Sequence, residues 1–202
     1  MTVLLNAKGV TPPGRFHWTV EMFYRAIDAG VFDTPERLEL VHGELWEKEK
    51  VNPPHAATIR KIARLFRETL PATFLVMEEK PIHLDRDGEP CPDITIVLGV
   101  EEDFEERHPT QNEVRLVIEV ADSSVERDTG EKATLYAEAG IPEYWVSLLR
   151  AREVRVYRNP VEGVYQDIQT LREEDTLSSL VASQIVMSVA DLLTRRREAD
   201  SP

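Results

Sequence analysis

Apolar residues recur along this chain with two periods, and the alternation of those periods predicts its elements. Thr19 can cap a helix that carries Val20, Phe23, Tyr24 and Ile27 on one face, with Gly30 just past its end. Residues 37–51 read as a hairpin: Leu38 and Leu40 alternate with Glu39, His42-Gly43 makes a two-residue turn, and Glu44-Leu45-Trp46 returns. A second helix follows Pro53-Pro54, with Ile59, Ile62, Ala63, Phe66 and Leu70 at helical spacing and Pro71 as its stop. Strands are predicted over 73–77, 93–98 and 114–120, with a turn at 85–88 between the first two. A third helix over 129–139 is closed by Gly140, with Pro142 beyond. The strand 143–148 follows, then two more exposed strands over 153–157 and 164–171, and a last helix from Val189 into Arg195-Arg196-Arg197.

This order predicts an α/β fold, a mixed sheet flanked by helices, preceded by a helix and hairpin and extended by C-terminal strands. A length of 202 residues suits one domain. Pro12, Pro13 and Gly14 make residues 1–15 an irregular arm; residues 16–193 form the domain and 194–202 a tail. The net charge of −13 argues against a general nucleic-acid coat, because phosphate neutralisation needs clustered cations. It leaves room for a local site charged by bound metal. The single cysteine, Cys91, excludes an internal disulfide and a cysteine-based zinc site. With no signal peptide and no run of about 18 apolar residues, the expected setting is cytoplasmic, with no membrane partner.

The informative residue is Glu119. It sits in Leu116-Val117-Ile118-Glu119-Val120-Ala121, a run apolar on both faces and so expected at the centre of a covered sheet. Alternation puts Val117, Glu119 and Ala121 on one face. An unpaired carboxylate there would be costly or would protonate, so a cation, hydrogen-bond donors or an open cleft must compensate. Asp93 leads the run 94–98 directly after Pro92; alone, Pro-Asp also marks an ordinary entrance to an element. Together on neighbouring strand ends, the two carboxylates would form a hard-oxygen site for Mg²⁺ or Mn²⁺. Asp128, Lys132 and Tyr136 share one helix face at i, i+4 and i+8. A plain surface pair accounts for Asp128 and Lys132, or Asp128 caps the helix. A Lys returned towards the carboxylate is the arrangement a hydrolase needs.

Pro92-Asp93, with Glu119 following 26 residues later in a strand, resembles the PD-(D/E)XK nuclease superfamily. Within it, Leu38-Glu39-Leu40-Val41-His42-Gly43-Glu44-Leu45, Pro54-His55, Val117 to Ser124, Asp128 to Lys132, Tyr136 and Gly140 to Trp145 resemble the putative restriction endonuclease family. The resemblance implies a restriction-endonuclease-like core of helix, three strands, helix and strand. It implies Asp93 and Glu119 as metal ligands helped by the Val120 carbonyl, and Glu44 and His55 as supporting residues. The superfamily places its Lys two residues after the Glu, where this chain has Ala121; Lys132 matches the helical Lys thought to replace it.

Three readings follow. One is a Mg²⁺-dependent (or Mn²⁺-dependent) endonuclease acting on DNA, with Asp93, Glu119 and Lys132 as catalytic residues. The second is a non-catalytic oligomeric binding module that keeps the nuclease fold, favoured by the charge and by Ala121. The third is a metal-free hydrolase using Asp93 and Glu119 as acid and base. Exposed later strands suggest a homo-oligomer, a dimer or tetramer. His55 also reads as a cap-region histidine, Trp18, Trp46 and Tyr144-Trp145 as core, and the acidic stretch 101–106 as a solvated loop away from the cleft.

Overall fold

Six strands form one sheet in the order β3-β4-β5-β6-β7-β8. They are β3 (Phe74–Glu78), β4 (Ile94–Leu98), β5 (Val114–Ala121), β6 (Glu143–Leu148), β7 (Glu153–Val161) and β8 (Val164–Arg172). Only β5 and β6 run parallel, and the crossover between them carries two short helices, α3 (Val125–Thr129) and α4 (Glu131–Glu138). This computed structural model describes residues 16–48, 52–85 and 87–194. The arm over 1–15 and the Arg195-Arg196-Arg197 end of the expected last helix lie outside them.

Alternation along β5 sorts the core into two layers. Leu116, Ile118 and Val120 face α2 (Pro53–Thr69), whose Ile59, Ile62, Ala63 and Phe66 form a stripe at helical spacing. Val117 and Ala121 face the other layer, with Ala133, Leu135, Tyr136 and Ala137 of α4. Burying both faces of β5 is what its continuous apolar run requires. The helix α1 (Val20–Asp28), capped by Thr19 Oγ1, packs Val20 and Phe23 on Leu40 of the hairpin β1 (Leu38–Val41) and β2 (Glu44–Glu47). Both turn residues have positive φ, His42 at 48° and Gly43 at 72°, the primed turn that suits a two-residue hairpin. Among the described residues no helix is long and apolar enough to cross a membrane.

Three sequence expectations change. The helix expected over 129–139 starts earlier and breaks at Gly130 (φ −112°, ψ −94°). A Cβ there would sit 2.7 Å from the Glu126 carbonyl oxygen, so glycine lets the backbone turn back on α3. Asp128 therefore lies inside α3 and does not cap the following helix. The last helix is only a 3₁₀ turn over Val189–Leu192, following the short strand pair β9 (Thr176–Leu177) and β10 (Met187–Ser188). Finally, β7 is longer and more buried than expected, with Val154, Val156 and Tyr157 in the core, while β8 keeps its exposed outer face.

Candidate metal and active site

The antiparallel register of β4 and β5 pairs Ile94 with Ile118. Continued by one residue, it sets Asp93 opposite Glu119, on the face that looks towards α4. The Asp93 amide donates to Glu119 Oε2 at 3.3 Å, and the Val120 amide donates to Asp93 Oδ2 at 2.7 Å. The two carboxylates thus converge on one cleft of about 50 Å³, room for an ion or a few waters, which Val120, His55, Asp128 and Lys132 also line.

Each neighbour reaches the cleft from a different element. His55, in the first turn of α2, places Nε2 3.1 Å from Asp93 Oδ2. Its own amide is capped by Asn52 Oδ1, and Asn52 Nδ2 in turn donates to Asp122 Oδ2. Lys132, buried in the first turn of α4, donates to Glu119 Oε1 at 2.8 Å and lies 3.1 Å from Glu39 Oε2. Tyr136, one turn on, donates its hydroxyl to the same Glu119 oxygen at 3.0 Å. Asp128 is buried, accepts from Ser124 Oγ, and lends its carbonyl to the Tyr144 hydroxyl. The break at Gly130 still leaves Asp128, Lys132 and Tyr136 all turned inward.

The hairpin carboxylate at the cleft is Glu39, and not Glu44 as the resemblance implied. Glu44 sits beside the turn, opposite Val41, and does not line the cleft. Glu39 does, and it is fully buried. Its Oε2 accepts from the Cys91 amide and pairs with Lys132, while Oε1 has no partner among the described residues. The chain carries a sign of this: in Leu38-Glu39-Leu40-Val41 the carboxylate is again embedded in an apolar run.

Four buried carboxylates, Glu39, Asp93, Glu119 and Asp128, meet one buried ammonium, Lys132, at this cleft, with His55, Lys48 and Arg127 also on its lining. Burial pushes the Glu119 carboxyl up to about 8; Lys132 opposes this, while Asp93, Asp128 and Glu39 add to it. Burial likewise raises Asp128 against the pull of Lys132. For Lys132, burial works against the charge, but Glu119, Glu39 and Asp128 outweigh it and hold the ammonium protonated. Burial also opposes His55 protonation, and Asp93 overcomes it, so the imidazole is raised. The two directions differ in their leading cause: burial raises Glu119, whereas the surrounding carboxylates raise Lys132.

The donor atoms of the cleft decide whether the residues fit a divalent cation. Among the described residues no three His, Cys, Asp or Glu side chains form a ready-made metal cage. The cleft offers two converging carboxylates and strand backbone, all hard oxygen donors, and an orphaned oxygen on Glu39 nearby. Mg²⁺ is commonly held by one or two carboxylates, with water and substrate completing its shell. The donor set fits.

A mixed sheet with one parallel pair, a crossover helix returning a Lys to the central strand, and an acidic cleft at the strand ends define a restriction-endonuclease-like α/β protein. The solved structure of a protein titled a putative nuclease belonging to DUF820, from Anabaena variabilis, shares this fold with a TM-score of 0.68 and 17% identity, over 86% of this chain and 96% of that one. Among curated proteins none matches. The chain belongs to the Uma2 family, described as "Putative restriction endonuclease", which it matches over residues 20–190.

Proposed function

We propose that this protein is a Mg²⁺- or Mn²⁺-dependent endonuclease that hydrolyses phosphodiester bonds in DNA. The observation that carries the reading is the convergence of the buried Asp93 and Glu119 carboxylates on one cleft. Family membership supplies the substrate class.

Asp93, Glu119 and the Val120 carbonyl would hold the ion. When bound, it lowers the pKa of a water and offsets charge on the phosphate. The remaining roles belong to the chain. His55 and the Val120 amide fix the Asp93 carboxylate in place, and Tyr136 and Lys132 fix that of Glu119. An ammonium has three donors, and Lys132 spends two, on Glu39 and Glu119. The third is left to orient the attacking water or to stabilise charge developing on the phosphate. Asp128 helps keep Lys132 charged.

The test is calorimetry with Mn²⁺ alongside a nicking assay on plasmid DNA. Asp93→Asn and Glu119→Gln should each lose Mn²⁺ binding and metal-dependent cleavage. Cleavage surviving both changes refutes the assignment.

A non-catalytic binding module with the nuclease fold is the second reading. Ala121 in place of the superfamily Lys and the two ion pairs that occupy Lys132 favour it. Failure of the wild-type chain to bind Mn²⁺ would decide for it. On either reading self-association through the outer strand β8 is proposed, because Val164 and Ile168 stand exposed there; sedimentation velocity would test it. A cytoplasmic setting, where DNA is accessible, suits the reading.

A further inference from the structure

A chain with a net charge of −13 and four carboxylates buried at its cleft must still admit a polyanion if it is a nuclease. The ion can offset charge only next to itself. Lys132, 3% exposed and paired with Glu39 and Glu119, contributes little outward. Two further cations line the same cleft, Lys48 and Arg127, and no resemblance or comparison assigns either a role.

Both are held in place with donors unspent. Lys48 follows β2 and points its ammonium at Cys91 Sγ, 3.2 Å away. A thiol is a weak acceptor, and among the described residues no carboxylate lies within ion-pair distance of Lys48. Arg127 projects from α3 and lays its guanidinium over the Trp46 ring, 5.5 Å from the centroid. Stacking orients the planar fork at the cleft wall. Its Nε is buried without a partner, and Nη1 makes only a 3.5 Å contact with the Glu47 carbonyl. Trp46 lies in β2 and Lys48 just past its end, two residues on, and the stacked arginine and the lysine both line the cleft. The acidic stretch stands apart: Glu105 and Glu106 line a separate hollow with Tyr24 and His108.

We propose that Lys48 and Arg127 form a phosphate clamp on this wall, gripping the DNA backbone beside the bond that is cut. The identity of the anion rests on the nuclease reading. The guanidinium, held by the Trp46 ring, and the Lys48 ammonium each supply a positive charge and N–H donors that phosphate oxygens accept.

The experiment is fluorescence anisotropy of a short labelled DNA duplex, with Ca²⁺ replacing Mg²⁺, across a salt series. Each phosphate contact contributes about 0.9 to the slope of log K against log salt. Lys48→Met and Arg127→Ala should each weaken binding roughly tenfold near 0.1 M salt and flatten the slope by about 1; the double variant should flatten it by about 2. Lys48→Arg and Arg127→Lys, which keep the charge, should keep the slope, and all variants should bind Mn²⁺ with wild-type stoichiometry. Wild-type affinity and slope in Lys48→Met and Arg127→Ala would overturn the clamp while leaving the nuclease reading intact. If the unmutated chain binds Mn²⁺ but no DNA, the nuclease reading fails, and the clamp with it.

Discussion

Lys132→Met is the sharpest test of the buried cluster. Met has nearly the length of Lys without its charge, so the change leaves little cavity and removes the ammonium shared by Glu39 and Glu119. Glu119 is already raised to about 8 beside that ammonium, so without it at least one more buried carboxyl must take up a proton on folding. A carboxyl that would ionise at 4.5 in the unfolded chain costs about 3 kcal/mol to hold protonated at pH 7, and about 1 kcal/mol at pH 5.5, at 1.36 kcal/mol per pH unit. The first figure sits at the lower end of the 3–5 kcal/mol range for breaking a buried pair.

The sign follows from proton counting. Glu119, raised from 4.5 to about 8, already makes the folded chain bind more protons than the unfolded one in that window, so wild-type stability falls as pH rises through it. The variant adds a second such group and should fall more steeply. Urea unfolding in chelator at pH 5.5 and 7, with unchanged m values, reads the difference directly. An equal loss at both pH values, or a loss under about 1 kcal/mol at pH 7, would show that Lys132 does not neutralise these carboxylates.

Glu39→Gln should cut metal-dependent cleavage by more than about tenfold, whereas Glu44→Gln should stay within about twofold, because only Glu39 lines the cleft and touches Lys132; plasmid nicking compares them. Glu113 is held down to about 2, first by its hydrogen bonds from Arg107, against burial, and then by Thr110. Its folded pKa is depressed, so Glu113→Gln should be slightly less stable than wild type at pH 7, and the gap in thermal midpoint should close as pH falls from 4.5 towards 2. Glu143→Gln should cost about 3 kcal/mol in urea unfolding and leave Mn²⁺ binding by calorimetry unchanged.

Much of this architecture is legible in the order of residues alone. The run around Glu119 announces a strand buried on both faces, and the register that sets Asp93 against it follows once β4 and β5 are neighbours. Lys132 is found by chain order, since a crossover helix must return over the strand it left. What escapes is set by tertiary contact. Glu39 alternates with Leu38 and Leu40, which locally reads as a half-exposed hairpin. In the fold Leu40 packs under α1 while Val41 joins the layer of α4, so both faces are covered and Glu39, on the face of Val41, is buried. The break at Gly130 escapes because one glycine in a helical pattern is tolerated as often as it interrupts. Here the backbone's approach to the Glu126 carbonyl makes it the hinge between two helices.

Burial of a charged side chain in a strand is therefore not by itself the mark of a site, and Glu143 shows why. It is as buried as Glu39 and lies in β6, beside the strand that carries Glu119. Yet Arg158 and the Trp145 indole donate to its Oε1, and the Ser179 hydroxyl and Leu180 amide to its Oε2. Both oxygens are satisfied, Arg158 supplies a full counter-charge, and the cluster ties β6 and β7 to the segment after β9. Around Glu119 the arrangement differs: four buried carboxylates meet a single buried ammonium, one oxygen of Glu39 is orphaned, and the cleft is open at the strand ends. The carboxylate whose charge the fold has already met holds the sheet together. The carboxylates around Glu119 lack such a full set of partners, and it is there that the proposed function would place an ion.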